Sequence, residues 1–425
     1  MPHDWQLQPR QRLGLEIAAV AKVERKGGIW LVPSQTGRGR YTVCPDPSNP
    51  HCTCPDHAER QVKCKHLWAV EYVTRREEHP DGSMTVEETV KITKTTRKTY
   101  PQNWSAYNLA QTNEKDDFQV LLAKLCQMVP ADLIAERTRG RPPVPLPDIL
   151  FSIMFKVYST FSGRRFKSDL KHAYKNGFIS RLPHYNTIFA YLEKPELTPI
   201  LHELILTSAS PLAAIETGCI AADSTGFSSS RITRWYEANY RGAKEHLWVK
   251  AHIACGVLTN VITAVEISDR DSSDPKQVPA LLEKTKGRFA ITEFVADKGY
   301  STVPVHNAVF ALGATPYVPF KSNATGSRGG DWQKAFYLFK YHQDEFYARY
   351  HQRSNIESTN WMVKAKFQEE VRSKHDIPMM NEVLCKFVCH NICCVIQSMY
   401  EFGVAGEFLP VVEAVEIDDD GGDHR

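Results

Sequence analysis

The sequence predicts an α/β protein that carries a small metal-binding unit ahead of a helical stretch. Three observations support that reading. Residues 216–402 alternate β-rich and amphipathic runs in the order β-β-β-α-β-α-β-α, the pattern of a mixed sheet flanked by helices. Residues 113–215 place apolar residues at three- and four-residue steps, with Pro or Gly between segments, as successive helices do. Residues 28–80 hold short β-like pieces, a cysteine-rich knuckle and one helix, which together read as a small ββα unit.

In order along the chain, GIWLVPS and RYTV are the short strands of the first block, and HLWAVEYVTRREE is its helix. Residues 81–112 are rich in Thr, Lys, Asp and Asn with little periodicity and read as a linker. Helices follow in FQVLLAKLCQMV, PDILFSIMFKVYSTFS, FKSDLKHAYKNG, YNTIFAYLEK and LTPILHELILTSASPL. The strands GCIAADSTG, HLWVKAHIACGV and NVITAVEIS come next, then a helix over DPKQVPALLEKTKG. ITEFVADKGY and ATPYVPF read as further strands around the helix VPVHNAVFALG, and long helical runs fill the rest to about residue 402. Residues 403–425 end in VEAVEIDDDGGDHR, an acidic, Gly-rich run with the composition of a disordered tail.

Bulk composition narrows the function. The 425 residues suffice for two or three domains, and 42% hydrophobic with 24% charged residues is ordinary for a globular chain. A net charge of +3 leaves any nucleic-acid binding to local patches. No run approaches 18 consecutive apolar residues and no apolar signal core opens the chain, so the expectation is a cytoplasmic protein without membrane contact. In that reducing compartment, clustered cysteines point to metal and scattered ones to buried small hydrophobes.

The first cluster is Cys52, Cys54, Cys64 and His66, spaced C-x-C-x9-C-x-H. Three thiolates and an imidazole suit tetrahedral Zn²⁺, and a set filled entirely by protein is structural rather than hydrolytic. Cys44 lies outside the motif as a spare thiol. The spacing resembles the SWIM-type zinc finger. Trp30, Val32, Pro33, Ser34, Tyr41 and the LWAVEY helix fit the surroundings such a finger has, and the resemblance implies contact with DNA or protein. Lys63, Lys65, Arg75 and Arg76 give a modest basic face that does not decide between them.

A second constellation uses harder donors. Tyr350, Arg353, Glu357 and Lys364 follow Tyr-x2-Arg-x3-Glu-x6-Lys, and on one helix all four lie within about 40° of a single line. Asp223 in IAADSTG and Asp297 in FVADKGY each end an apolar run that reads as a core strand. Either aspartate alone is more simply a turn residue. Two of them with a helical glutamate amid cations suit Mg²⁺ or Mn²⁺, and two such ions can drive in-line attack on a phosphodiester. Arg353 would grip phosphate by its fork and Lys364 as a point charge.

These residues resemble the DDE transposases of insertion sequences, over roughly residues 113–402. The resemblance implies a ribonuclease H-like catalytic domain over 216–402, with Asp223, Asp297 and Glu357 as the metal triad. It also implies that Tyr350, Arg353 and Lys364 contact DNA or position the glutamate. Only 59 residues separate Asp297 from Glu357, so the compact form of the fold is expected. Residues 113–215 become a DNA-binding and dimerisation region, with Arg139, Arg141, Arg164, Arg165, Lys167 and Lys171 as phosphate contacts or a plain solvated face.

The implied function is cutting element ends and joining their 3′-hydroxyls to target DNA, by a homodimer on double-stranded DNA that is nucleoid-associated when bound. The alternative is a transposase-derived DNA-binding or regulatory protein that does not use the triad. Asp271 and Asp274 read as N-caps rather than catalytic groups. His390 and Asn391 read as a satisfied helix-interior pair, although they could face the site. Cys385, Cys389, Cys393 and Cys394 read as a buried seam rather than a metal site, and Arg372 and Lys374 as phosphate contacts or surface charge.

Overall fold

The computed structural model describes residues 8–35, 39–46, 48–78, 84–87, 103–131, 133–134, 142–229, 248–268 and 271–409. Arg139, Arg141, most of the expected linker and residues 410–425 of the expected tail lie outside the described residues, as do the side chains of Arg75 and Arg76. The chain divides into two compact units, Met1–Pro101 and Gln102–Arg425.

The first unit begins earlier than the pattern from residue 28 suggests. Helix α1 (Pro9–Val20) and strand β1 (Glu24–Lys26) precede β2 (Ile29–Pro33), β3 (Arg40–Cys44) and β4 (His51–Cys52). The four strands form an antiparallel sheet in sequence order. Helices α2 (Pro55–Arg60) and α3 (Lys65–Val73) follow, and a hairpin pairs β5 (Arg75–Glu78) with β6 (Met84–Glu87). Ile17 of α1 shares one buried core with Trp30, Val32, Val43, Leu67 and Val70. PRQRLGLEIAAV shows little amphipathic contrast, and its docking rests on one small residue. A Cβ on Gly14 would stand 2.5 Å from Trp68 Cβ and 2.9 Å from the Lys65 carbonyl, so only glycine lets the backbones of α1 and α3 approach this closely. Arg10 then forks onto Asp56, with both N–H···O distances 2.9 Å.

In the second unit, α4 (Trp104–Gln127) opens nine residues inside the stretch expected to be linker. Its polar sequence hides a core stripe, Ala106, Ala110, Phe118, Leu122 and Cys126, and the Asn103 side chain caps it by accepting from the Ala106 amide at 3.1 Å. The helices α5 (Leu146–Ser159), α6 (Gly163–Lys175), α7 (Tyr185–Leu192) and α8 (Leu197–Ala209) complete the helical layer.

The sheet follows. Strands β7 (Cys219–Ser229), β8 (Trp248–Gly256) and β9 (Ile262–Ser268) form an antiparallel meander. Helix α9 (Val278–Lys286) leads to β10 (Glu293–Ala296), and α10 (Val303–Ala311) leads to β11 (Thr315–Tyr317). β10 pairs in parallel with both β7 and β11, giving the order β11-β10-β7-β8-β9. This mixed sheet with helices on both faces is consistent with the ribonuclease H-like expectation. Alternation along the strands divides the core: Cys219, Ala221, Phe227 and Val295 face the helical layer, whereas Ile220, Ala222, Phe294 and Ala296 face α9 and α10.

The run expected as one helix over DWQKAFYLFKYHQDEFYARY breaks at His342 into α11 (Gly330–Tyr341) and α12 (Gln343–Tyr350). A single 3₁₀ turn, His351–Arg353, joins α12 to α13 (Ser354–Phe367), and β12 (Glu370–Val371) adds to β7 before the last helix, α14 (Asp376–Phe402). By length and composition α14 could cross a bilayer, yet 89% of its apolar window is buried inside the protein, which marks it as a core helix. Two asparagines lock it. Asn391 donates to the Ile205 and Ile262 carbonyls and accepts from the Ile262 amide, and Asn381 donates to the Leu192 and Lys194 carbonyls.

Gly14→Ala should destabilise the N-terminal unit by about 1–3 kcal/mol, the usual cost of overpacking. Calorimetry of the full chain should show its transition at a lower temperature with the transition of the second unit unmoved.

Candidate active site and metal centre

The thiol cluster is assembled by chain ends rather than by a sheet face. Cys52 closes β4, while Cys54 and Cys64 are the extended residues that precede α2 and α3. His66 sits on the first turn of α3. All four side chains are buried, and their donor atoms lie within 4.8 Å of one another. His66 Nδ1 stands 3.8 Å from Cys52 Sγ and 3.9 Å from Cys64 Sγ. Those separations are close to the roughly 3.6 Å N···S edge of a zinc tetrahedron with bonds of about 2.1 Å to nitrogen and about 2.3 Å to sulfur. The thiol of Cys64 is pulled down to about 3, first by hydrogen bonding from Cys52, and its thiolate in turn pushes Cys52 up. A second thiolate is costly there without a cation, so the donor set fits Zn²⁺ bound through Nδ1. Cys44 stays outside the set, half-buried and free.

Sheet register sets the geometry of the second centre. Pairing of β10 with β7 ends at Ala296↔Ala222, so Asp297, the next residue, stands beside Asp223. The Asp297 carboxylate accepts from the Lys298 amide at 2.7 Å. Asp223 is not at a strand end: β7 runs on to Ser229, and Asp-Ser-Thr-Gly is strand rather than turn. Gly226 belongs in the strand because the Trp248 ring of β8 lies across it, where a Cβ would stand 1.8 Å from the indole.

Helix α13 covers Asp223 on the face toward the helical layer. Asn360 Nδ2 donates to Asp223 Oδ2 at 3.4 Å. Tyr350, Arg353, Glu357 and Lys364 do not share one α-helix, since the 3₁₀ turn intervenes. Every residue across the junction keeps right-handed helical dihedrals, however, so the stripe survives. Arg353 binds Glu357 Oε1 at 2.7 Å and stands 5.8 Å from the centre of the Tyr350 ring. Lys364 lies 5.7 Å from the Phe227 ring and 3.8 Å from Glu369.

Burial pushes the Asp223 carboxyl up; Arg353 opposes that shift, and Glu357 and Asp274 add to it. Arg353 in turn feels Asp297. The triad thus surrounds one guanidinium and shares one field. Among the described residues, only the Cys/His set gathers three or more metal-ligating donors within 4.8 Å, so the triad carboxylates stand farther apart than that set. Three carboxylates with no thiol or imidazole among them are donors for a hard cation, and Asp223 is raised first by its burial and further by Glu357 and Asp274.

The secondary expectations divide: the cap reading of Asp271 and Asp274 is corrected, whereas His390, Asn391 and the α14 cysteines are core residues as expected. Asp274 caps nothing: Ser273 and Gln277 hold the cap positions of the 3₁₀ turn and of α9, and the Asp274 carboxylate instead accepts from Ser224 Oγ at 3.1 Å. Asp271 is simply exposed. His390 and Asn391 turn away from the site, His390 donating to the Asn260 carbonyl at 2.9 Å. The cysteines of α14 line the core, Cys393 only in part. Arg372 donates to the Thr160 carbonyl, a structural contact, and Lys374 is exposed. Arg164, Arg165, Lys167 and Lys171 form the exposed face of α6. The sequence reading passed over Asn360; its place three residues after Glu357, one turn along the same helix, was the available signal.

A strand-borne aspartate, a second at the end of the adjacent parallel strand and a glutamate on a covering helix are thus brought to one edge of the sheet. Residues 216–392 match the family model of the transposase DDE domain, which spans β7 to α14 and covers under half of the chain. No curated protein matches the chain. The domain match supports a DDE transposase of the insertion-sequence kind, and with it DNA binding and dependence on divalent metal.

Two outcomes follow. Asp223 is raised, so at neutral pH its ionised form costs more in the folded protein than in the unfolded one, and that cost fades as pH falls through the raised value. Asp223→Asn should therefore raise the melting temperature of cation-free protein at pH 7, by less at pH 5, and abolish any further rise on adding Mg²⁺. Metal analysis of the full chain should return one zinc, lost in Cys64→Ser.

Proposed function

We propose that the protein is a transposase that cleaves the ends of its own element and joins the freed 3′-hydroxyls to target DNA. The observation that carries this reading is the juxtaposition of Asp223, Asp297 and the Arg353–Glu357 pair around one space at the sheet edge. Asp223, Asp297 and Glu357 would hold two Mg²⁺ or Mn²⁺ ions. When bound, such ions activate the attacking oxygen and stabilise the departing one.

The chain's own groups supply the rest. β7 and β10 fix the two aspartates through backbone pairing, and Asn360 orients Asp223 Oδ2. Arg353 holds one oxygen of Glu357 and leaves the other open; its remaining N–H groups can fork a phosphate. Tyr350 flanks that guanidinium, and Lys364 offers a second positive charge one turn beyond Asn360. In the first step a water oxygen bonds to phosphorus as the P–O3′ bond breaks, leaving a 3′-hydroxyl and a 5′-phosphate. In the second, that hydroxyl attacks a target phosphodiester, forming one P–O bond as another breaks.

On this reading the N-terminal unit, held by zinc on Cys52, Cys54, Cys64 and His66, contributes a contact to DNA or to another protein. The exposed basic face of α6 contributes phosphate contacts to the element's terminal inverted repeats. Joining two ends calls for a homodimer on DNA, acting in the cytoplasm on the nucleoid.

The test is end cleavage. Short inverted repeats flanking the coding region supply the substrate, and Mg²⁺-dependent nicking at the repeat boundary is the expected activity. Asp223→Ala, Asp297→Ala and Glu357→Ala should each lower cleavage by about 10³-fold or more, as loss of charge stabilisation at a reacting centre does, while band-shift binding persists. Cleavage that survives all three substitutions would overturn the proposal. Binding to the repeats with no cleavage by the unaltered protein would point to a regulatory derivative.

A further inference from the structure

Behind Asp223, on the opposite face of the sheet, lies a second polar cluster that the triad does not use. Ser224, the next residue of β7, points toward α9, as do His252 and Lys250, which pair with Ser224 and Gly226 across β8. Asp274, on the 3₁₀ turn ahead of α9, reaches down onto this face. Its Oδ2 accepts from Ser224 Oγ at 3.1 Å, and its Oδ1 pairs with Lys250 Nζ. Lys250 also donates to the Ser272 carbonyl at 2.9 Å, which fixes the turn itself. His252 is almost wholly buried; its Nε2 is 2.7 Å from Ser268 Oγ, while its Nδ1, 3.7 Å from Asp274 Oδ1, has no hydrogen-bond partner among the described residues. The Tyr300 hydroxyl, three residues after Asp297, is buried beside Ser224.

The cluster is therefore a carboxylate bound to the residue next to Asp223, anchored by a lysine and bordered by a buried imidazole nitrogen with no hydrogen-bond partner among the described residues. For a structural tie between strand and turn, Lys250 and Ser224 alone would suffice, and leaving the His252 nitrogen unpaired beside it would cost stability without return.

We propose that Asp274 is a positioning residue of the cation site, a fourth carboxylate that acts through Ser224 and through its charge to strengthen divalent-metal binding at Asp223. This rests on the transposase reading only in taking Asp223 as a metal ligand. Lys250 then tunes the site: it holds Asp274 in place and offsets part of its charge.

The experiment is a Mn²⁺ titration of the zinc-loaded full chain, followed by water-proton relaxation, with thermal melts as a folding control. Asp274→Asn keeps the shape and the acceptor for Ser224 but removes the charge, and should weaken Mn²⁺ binding about tenfold, the order expected for one charge near a divalent ion. Lys250→Met should strengthen it. A purely structural tie predicts that both substitutions weaken binding together, and that result, or no change in either, overturns the proposal. If Asp274→Asn fails to fold, Lys250→Met decides, since tighter binding supports the inference and weaker or equal binding refutes it. Asp223→Ala separates this from the larger reading. If Asp223→Ala leaves the titration unchanged, the cation site itself is absent and both readings fall; if it abolishes binding while Asp274→Asn has no effect, only the role of Asp274 falls.

Discussion

The parallel pairing of β10 with β7 is the constraint on which the second unit depends. Four backbone pairs, from Glu293↔Cys219 to Ala296↔Ala222, fix the end of β10 beside the middle of β7. Because β7 continues for seven residues past that point while β10 stops, one edge of β7 is left open there. Asp223 occupies the first open position and Asp297 the first residue after the stop. A slip of one residue would turn Asp223 to the opposite face, so the burial of Ala221, Ala222 and Val295 in their respective layers specifies the site as firmly as it specifies the core.

A glutamate on a helix needs the helix held as well, and α13 is gripped at its far end by buried charge. Lys366 pairs with Glu114 of α4, whose other oxygen accepts from Tyr158 of α5 at 2.7 Å. Just past the helix, Lys386 of α14 donates to the Gln368 and Glu370 carbonyls at 2.7 and 3.0 Å. Glu382 accepts from the Arg372 and Ser373 amides of the same connection. Burial pulls the Lys386 ammonium down to about 8. Burial also pushes the Glu382 carboxyl up, yet Lys156, Lys386, the Arg372 amide and the Ser373 hydroxyl outweigh it and hold the group ionised. A buried charge left without its partner costs about 3–5 kcal/mol, so this connection cannot loosen a little: it is closed or it is broken. That all-or-none character is what lets a distant clamp fix the direction in which Glu357 projects.

The parts of this architecture visible in the sequence are those with a short-range signature. Strand and helix periods between 216 and 402 follow from alternation that a single chain displays. The spacing of Cys52, Cys54, Cys64 and His66 is local enough to read as a ligand set. Legibility fails wherever a distant partner decides the outcome. Ser224-Thr225-Gly226 has turn composition but is strand, because Trp248 needs the space above Gly226. Helix α1 depends on a close approach at Gly14 to a helix fifty residues on. The start of α4 looks like linker because its buried positions there are only two small residues, Ala106 and Ala110, whose packing partners come from distant helices. Asp274 reads as a cap because its true partners, Ser224 and Lys250, lie on strands that one sequence does not pair.

The two donor sets also divide by how they are enclosed. Cys52, Cys54, Cys64 and His66 are all buried, offer soft donors and leave no position free, so an ion there is part of the fold. The triad offers hard donors. Asp223 is half-buried, whereas the Glu357 side chain is 56% exposed and tied only to Arg353. An open carboxylate beside a guanidinium keeps a metal exchangeable, and it lets phosphate and cation enter the same space together. The asymmetry follows from where each set is built. Thiols at the ends of a strand and at the starts of two helices are closed over by their own backbone, whereas carboxylates at the open edge of β7 have a covering helix on one side and solvent on the other. On the proposed reading the chain would carry one metal site that supports structure and one shaped for turnover, and the difference lies in whether the backbone ends at the donors or runs past them.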